Sequence, residues 1–175
     1  MNGTNAPTAK RKLSFPPLYI GYIWGVISLA LAIVVVAIQP EEVTSEEAGN
    51  IAEGILGLTG LIGFIYWLLC VHKIHKVLFQ ATGATYPISP GRAVGFHFIP
   101  FYNLYWIFKW PAEAIKFINV NDSSKKMSPA LPGVLIFIGF IIGDGIGLII
   151  MCAALSKMIK SIKTIVESTP VQGAA

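Results

Sequence analysis

Apolar residues are concentrated in long stretches separated by short polar segments, and three of the stretches are long enough to cross a lipid bilayer. They cover residues 18–38, 51–71 and 131–155. The hydrocarbon core of a bilayer is about 30 Å thick and an α-helix rises about 1.5 Å per residue, so about 20 apolar residues reach across it. The pattern therefore predicts an all-α integral membrane protein.

A fourth apolar run lies between Arg92 and Lys109. As a helix it would be about 24 Å long, which is less than the thickness of the hydrocarbon core. Pro100 in its middle lacks a backbone N–H and predicts a kink. The run either crosses the membrane or dips into it and returns, and charge counting hardly separates these two alternatives.

The distribution of charge predicts the orientation. Basic residues precede the first span as Lys10, Arg11 and Lys12, whereas the connector at residues 39–50 carries four glutamates and no basic residue. Because short cytoplasmic segments are enriched in lysine and arginine, the N-terminus is predicted to lie in the cytoplasm. Basic residues also follow the last span, and they predict a cytoplasmic C-terminus.

The overall composition agrees with a protein that is surrounded by lipid. Hydrophobic residues make up 54% of the chain and charged residues only 13%, and the mean hydropathy is +0.67. A soluble domain of this size needs more charge to cover its surface. The net charge of +4 comes from short clusters beside apolar runs, so the lipid bilayer is the predicted partner and nucleic acid is not.

Glycines at helical spacing predict close packing between helices. The last span contains two overlapping GxxxG motifs, and the first two spans carry further small residues on one face. Glycine destabilises a helix interior by about 1 kcal/mol, so such a pattern indicates that backbones approach closely. The partner is a helix of this chain, another membrane protein or a second copy in a homo-oligomer. The candidate packing residues are Gly139, Gly143, Gly147, Gly21, Gly25, Gly57 and Gly60.

Asp144 is the one ionisable residue deep within the run at 131–155. A central aspartate costs about 2.5–3.5 kcal/mol on insertion scales, so it is expected to face the bundle and find a partner. Asn103 and His97 in the fourth apolar run are the predicted partners in one buried polar cluster. The cluster is either a proton- or ion-coupling site or a structural hydrogen bond between helices.

Other candidate chemistry is sparse. His72 and His75 could supply two metal ligands, but no third ligand is near in sequence, so basic interfacial residues are the predicted role. Cys70 and Cys152 are interpreted as small buried hydrophobes. The chain has no phosphate-binding glycine loop, HExxH motif or recognisable nucleophile. We therefore predict no catalytic residue, no metal site, no cofactor and no enzymatic activity.

Local signals mark two boundaries and one ion-pair group. The second span is predicted to continue as a helix to Phe79 and to end at Thr82, which glycine follows. Ser89 before Pro90 predicts a helix N-cap and first helical residue. Farther along, ion pairs at helical spacing are predicted among Lys109, Glu113 and Lys116.

A group of short motifs lies between Pro90 and Glu113: PG-x-AVG, then FIP, then NL with a later proline and acid. This pattern resembles that of an uncharacterised bacterial family of small four-pass membrane proteins, a domain of unknown function. The resemblance implies four helices, and we therefore assign the run at 93–110 as a third span. It implies no activity. The residues that carry it are Pro90, Gly91, Arg92, Ala93, Val94, Gly95, Phe98, Ile99, Pro100, Asn103, Leu104, Pro111 and Glu113.

These observations predict an all-α bundle of four transmembrane helices, the third short and kinked at Pro100, in the bacterial cytoplasmic (inner) membrane. The predicted parts are an N-terminal tail at 1–17, a transmembrane domain at 18–166 with spans at 18–38, 51–71, 93–110 and 131–155, and a tail at 167–175. The predicted function is a non-enzymatic interaction, assembly or accessory subunit. The alternative is a small oligomeric transporter or channel that uses Asp144 as its coupling acid.

Overall fold

The structure, a computed structural model, describes residues 14–38, 46–82, 86–121, 126–143 and 145–168. All regular secondary structure in these ranges is helical, as predicted. The α-helices are α1 (Leu18–Ile38), α2 (Glu46–Ala81), α3 (Pro90–Gly95), α4 (Tyr102–Asn121), α5 (Leu131–Ile142) and α6 (Ile146–Ser168), and a 3₁₀ turn (Phe96–Phe98) follows α3.

Helices α1 and α2 are long and apolar enough to cross a membrane, by length and composition. They are antiparallel: Trp24 Nε1 donates a 3.1 Å hydrogen bond to the Thr59 carbonyl, and Tyr66 Oη donates a 2.6 Å bond to the Pro17 carbonyl. No other described helix meets both criteria, so the prediction of four spans is not confirmed. The predicted continuation of α2 past the span is confirmed, since this helix ends at Ala81.

The run at 93–110 folds back on itself, and the prediction of one helix kinked at Pro100 is wrong. The chain leaves the helical conformation after the 3₁₀ turn, and Phe101 has a φ of +60°. Pro100 cannot donate a backbone hydrogen bond, and the left-handed conformation of the next residue reverses the chain rather than bending it. Helix α4 returns beside α3, and Trp106 Nε1 donates a 3.0 Å hydrogen bond to the Ala93 carbonyl. We call residues 90–121 the first hairpin.

The run at 131–155 also reverses, so the single helix predicted there is wrong. Gly143 and Gly145 have φ values of +82° and +69°, which favour glycine and separate α5 from α6. The two helices pack against each other through Gly139 and Gly147, whose backbones touch. At the other end of the pair, Ser161 Oγ lies 3.4 Å from Met127 Sδ. We call residues 131–168 the second hairpin.

Both hairpins extend from one end of the α1–α2 pair towards its middle. The segment that leads into the first hairpin passes α2 with Tyr86 beside His75. The turn of this hairpin lies near Phe64, whose ring centroid is 6.5 Å from that of Phe98. It then returns along α2 towards the level at which it started, with Phe117 5.8 Å from Tyr86. The level of its turn, at Phe64, is therefore about 16 Å along α2 from the level of His75.

The second hairpin lies against α1. Its turn contacts α1 at Gly25, and α6 then runs towards the start of α1, with Cys152 next to Gly21. Phe140 near the end of α5 packs on Trp67 with ring centroids 5.1 Å apart. The hydrophobic core is therefore concentrated around residues 63–78 of α2, where both hairpins meet that helix.

Candidate functional site

A cavity of about 240 Å³ lies at the turn of the second hairpin, between that turn and the middle of α1 and α2. Aromatic rings form much of its wall, and the backbone of Gly143 and Gly145 lines one side. The hydroxyl-bearing residues Ser28 and Thr59 line it as well, and both are buried. Water occupies about 30 Å³ per molecule, so the cavity has room for several waters or one small solute.

Some of the polar groups of α1 and α2 at this cavity already have hydrogen-bond partners within these two helices. Thr59 Oγ1 donates a 2.8 Å hydrogen bond to the Leu56 carbonyl, while the Thr59 carbonyl accepts from Trp24 Nε1. None of the described residues that line the cavity carries a charged side chain. The site can therefore hold a small polar or weakly charged species through carbonyls, hydroxyls and aromatic faces.

Asp144, the predicted intramembrane acid, lies outside the described residues. Its chain neighbours Gly143 and Gly145 both line the cavity. Sequence reasoning singled out this position for its charge, and the structure adds that the flanking backbone is a turn between two helices rather than the interior of one helix.

A second group of polar side chains is buried next to the cavity, and Trp67 belongs to both. The ring of His97 meets Trp67 edge-on at 4.8 Å, and Trp67 lies 6.3 Å from Trp110. Trp110 in turn lies 5.3 Å from His75, whose ring is 5.5 Å from Tyr86. These five side chains form a continuous aromatic–histidine cluster along α2.

Many polar atoms of this cluster have no hydrogen-bond partner among the described residues. They are both ring nitrogens of His75 and His97, Nε1 of Trp67 and Trp110, and Oη of Tyr86. The carbonyls of Ala93 and Val94 lie near His97, but neither ring nitrogen reaches hydrogen-bond geometry. Buried polar groups are rarely left unpaired, so the cluster is a second place where a polar species can be held.

The predicted cluster of Asp144, Asn103 and His97 is only partly described. His97 is buried against Trp67 rather than hydrogen-bonded to Asn103, since Asn103 Oδ1 and both His97 nitrogens have no partner in the described chain. His75, predicted to be interfacial, is instead 0% exposed because Tyr86 and Trp110 cover it. Those covering residues come from later in the chain, and no local signal could have indicated them.

Several predicted packing glycines do contact neighbouring helices. A Cβ on Gly21 would lie 2.5 Å from Cys152 Sγ, and one on Gly25 would lie 2.9 Å from the Gly145 carbonyl. Gly139 and Gly147 contact each other, but across the second hairpin rather than on one helix face. The two GxxxG motifs therefore belong to two helices that their shared glycine connects.

The other predicted packing glycines behave differently. A Cβ on Gly143 would meet nothing within 4 Å, because this residue forms the turn. A Cβ on Gly57 would also meet nothing within 4 Å, so this glycine packs against no part of the described chain. Gly60 lines the cavity.

The motif residues that carry the family resemblance build the first hairpin. Ser89 caps α3, its Oγ accepting from the Arg92 backbone N–H at 3.4 Å, and Pro90 is the first residue of this helix, so the predicted N-cap and first helical residue are confirmed. Phe98, Ile99 and Pro100 lead into the reversal and Asn103 and Leu104 begin the return, where the Asn103 backbone N–H donates to the Ile99 carbonyl at 3.0 Å.

The described residues contain no group of three or more histidine, cysteine, aspartate or glutamate side chains that could hold a metal ion. Cys70 and Cys152 are buried free thiols. Comparison with protein-family models found no match, and neither did comparison with curated proteins or with solved structures. The resemblance carried by the first hairpin stays a prediction.

Proposed function

We propose that this chain is a protein of the bacterial cytoplasmic membrane in which α1 and α2 cross the bilayer and both hairpins enter it from the cytoplasmic side. The lengths of the helices support this arrangement. Helix α5 has 12 residues and is about 18 Å long, which suits one leaflet of a core about 30 Å thick. In α6, the apolar residues before Lys157 are similarly few.

The positive-inside rule supports the same topology. If both hairpins return to the side they entered from, all 13 lysine and arginine residues lie on that side of the membrane. The opposite side then holds the connector with its four glutamates and no basic residue. The basic residues are Lys10, Arg11, Lys12, Lys73, Lys76, Arg92, Lys109, Lys116, Lys125, Lys126, Lys157, Lys160 and Lys163.

Labelling of a cysteine at Lys125 tests this topology. The position lies between the two hairpins, so an impermeant thiol reagent should label Lys125→Cys only from the cytoplasmic side. A chain with four spans would expose the same cysteine on the outer side. Glu42→Cys in the connector and Lys160→Cys in α6 serve as outer and cytoplasmic controls, each on a Cys70→Ala, Cys152→Ala background.

Within this topology we propose that the protein acts without covalent catalysis, as an interaction, assembly or accessory subunit. The proposal rests on the ends of α1 and α2 that neither hairpin covers, residues 30–37 and 49–58. These ends contain no fully buried residue, so their surface is available to a partner. Gly54 and Gly57 lie there, and a Cβ on either would meet nothing within 4 Å. Uncovered glycines on a membrane helix allow another apolar transmembrane helix to approach closely.

Enlarging this surface tests the proposal. Gly57→Leu should abolish association with the docked helix, because the added side chain separates the backbones. Ala153→Leu adds similar bulk at an exposed position on α6, outside this surface, and should leave association unchanged. The readout is the mass of the complex extracted in native nanodiscs. A lone monomer for the wild-type chain would contradict the proposal.

Transport is the second candidate function, and the turn between α5 and α6 favours it. Interrupted helices whose ends meet near the middle of a membrane form ion and substrate sites in many transporters, and irregular backbone at that depth is tolerated where it lines a cavity. Here Gly143 and Gly145 line the 240 Å³ cavity on both sides of Asp144. Asp144 is then the coupling acid of a small oligomeric carrier or channel.

Proton flux into proteoliposomes under a membrane potential tests this candidate. Asp144→Asn should abolish the flux while leaving the unfolding transition unchanged, because asparagine keeps a hydrogen-bonding side chain without the titratable proton. Wild-type vesicles that are no more permeable than protein-free vesicles would contradict a proton-coupled carrier.

A further inference from the structure

A separate cavity of about 250 Å³ lies at the base of the first hairpin, away from the turn. Its wall combines the aromatic rings of Phe96 and Trp106 with the charged side chains of Arg92, Lys109 and Glu113. Trp106 Nε1 donates its hydrogen bond to the Ala93 carbonyl, and the rings of Phe96 and Trp106 pack edge-on with their centroids 4.7 Å apart. The rings therefore give the cavity an apolar wall. We call the three charged side chains of the cavity its charged rim.

The rim carries excess positive charge. Glu113 Oε1 lies 3.3 Å from Lys109 Nζ and 3.1 Å from Lys116 Nζ, so one carboxylate is shared between two ammonium groups. Arg92 is exposed and makes no ion pair within the described residues. Its guanidinium, with two parallel N–H donors in a fixed plane, is suited to a phosphate group.

The cavity lies where the hairpin changes from apolar to charged. Beyond it, towards the turn, large apolar side chains are exposed, among them Phe98, Phe101 and Leu104. This step of the argument rests on the topology proposed above, in which those side chains lie in the cytoplasmic leaflet. The cavity is then at the depth of the lipid headgroups, with its aromatic wall on the acyl side.

We propose that this cavity binds the phosphate-bearing headgroup of an anionic phospholipid from the cytoplasmic leaflet. Arg92 donates to the phosphate oxygens, and Lys109 supplies a second positive charge beside them. The glycerol and first acyl carbons lie against Phe96 and Trp106. The net positive rim selects an anionic lipid over a zwitterionic one, because binding then neutralises the excess charge.

Native mass spectrometry of the full chain in detergent, titrated with phosphatidylglycerol, tests this assignment. Arg92→Gln should weaken binding of the first lipid about tenfold or more, since a hydrogen bond to a charged group is lost. Lys116→Gln is the matched control: it removes the same charge from a side chain that pairs with Glu113 but does not line the cavity. It should change the affinity less than about threefold.

Four results would overturn the proposal: equal weakening by both variants, unchanged affinity in Arg92→Gln, equal binding of phosphatidylcholine, or complete displacement of the lipid by millimolar inorganic phosphate. The last would identify a site for free phosphate instead of a lipid. The measurement in detergent does not depend on orientation, so failure of the lipid site and failure of the topology at Lys125 are separate results.

Discussion

Trp106 Nε1 donates a 3.0 Å hydrogen bond to the carbonyl of Ala93, 13 residues earlier in the chain. A straight helix would place these residues about 20 Å apart, so this bond exists only because the chain reverses between them. The tryptophan also packs edge-on against Phe96, which lies before the chain reversal, in the 3₁₀ turn that follows α3. This one side chain therefore connects both arms of the first hairpin.

Trp106→Phe is expected to destabilise the protein by about 1–3 kcal/mol, because the buried Ala93 carbonyl loses its side-chain donor. Trp110→Phe is the matched control: it removes a similar ring volume, but its Nε1 has no partner in the described chain. The free energy of unfolding in mixed micelles measures both. Equal losses for the two variants would contradict a specific role for the Trp106 hydrogen bond.

Gly147→Ala is expected to destabilise the second hairpin by about 1–3 kcal/mol, because the added methyl group overlaps the Gly139 backbone. Gly57→Ala places a methyl group in open space and should stabilise the isolated chain by about 0.5–1 kcal/mol through helix propensity. The free energy of unfolding of each variant, measured against the wild type, tests both expectations. A neutral Gly147→Ala would mean that the hairpin can separate at low cost.

Asn119 is expected to hold the connection between α4 and α5. Its Nδ2 donates to the Met127 carbonyl at 2.8 Å and its Oδ1 accepts from the Met127 backbone N–H at 2.9 Å. Asn119→Ala should cost about 1–3 kcal/mol because both bonds are lost. Unfolding measurements compare it with Asn50→Ala, which removes an exposed amide side chain, and equal losses for the two variants would contradict the role of Asn119.

Phe101 tests whether the turn of the first hairpin lies in lipid, since its side chain is 89% exposed. Phe101→Asp should reduce stable insertion, because a carboxylate within the bilayer costs about 2.5–3.5 kcal/mol at full depth. Val120→Asp changes another exposed apolar residue, near the end of α4 outside the proposed membrane region, and should insert normally. The yield of folded protein in the membrane fraction measures both, and equal yields would place the turn outside the bilayer.

Glu113→Gln is expected to strengthen binding of phosphatidylglycerol a few-fold, because it removes the one carboxylate of the cavity rim. Hydrogen bonds and charge from Lys116 and then Lys109 lower the pKa of Glu113 below its ordinary value of 4.5, so the side chain is charged at neutral pH. The stabilisation from these pairs is present above pH 4.5 and is lost as the pH falls through the lowered pKa. Acid should therefore strengthen lipid binding in the wild type but not in Glu113→Gln.

Local features of this protein were predictable because their causes lie within a few residues. The Ser89 cap, the continuation of α2 towards Ala81 and the ion pairs of Glu113 all join positions three or four residues apart or belong to one apolar run. Pro100 was also correctly predicted to interrupt a helix. The sequence did not reveal that the chain reverses there, because proline permits both a kink and a reversal.

The glycine pattern shows the limit of such reasoning most directly. Gly139, Gly143 and Gly147 fit a helix face and equally fit two facing helices with a turn between them. The choice depends on what covers each arm, such as Phe140 on Trp67 and Gly145 on Gly25. These contacts join residues far apart in the chain, and no periodicity encodes them.

By itself, the sequence determined an all-helical chain and a strong asymmetry of charge, because hydropathy and charge accumulate residue by residue. Of the four spans that it predicted, two correspond to helices of membrane length, α1 and α2. Only the tertiary structure decided that the two later apolar runs reverse, that His75 is buried and that Arg92 and Lys109 share one cavity. The physical reason is that a reversal is stabilised by the partner it returns to. That partner is known only once the chain has folded.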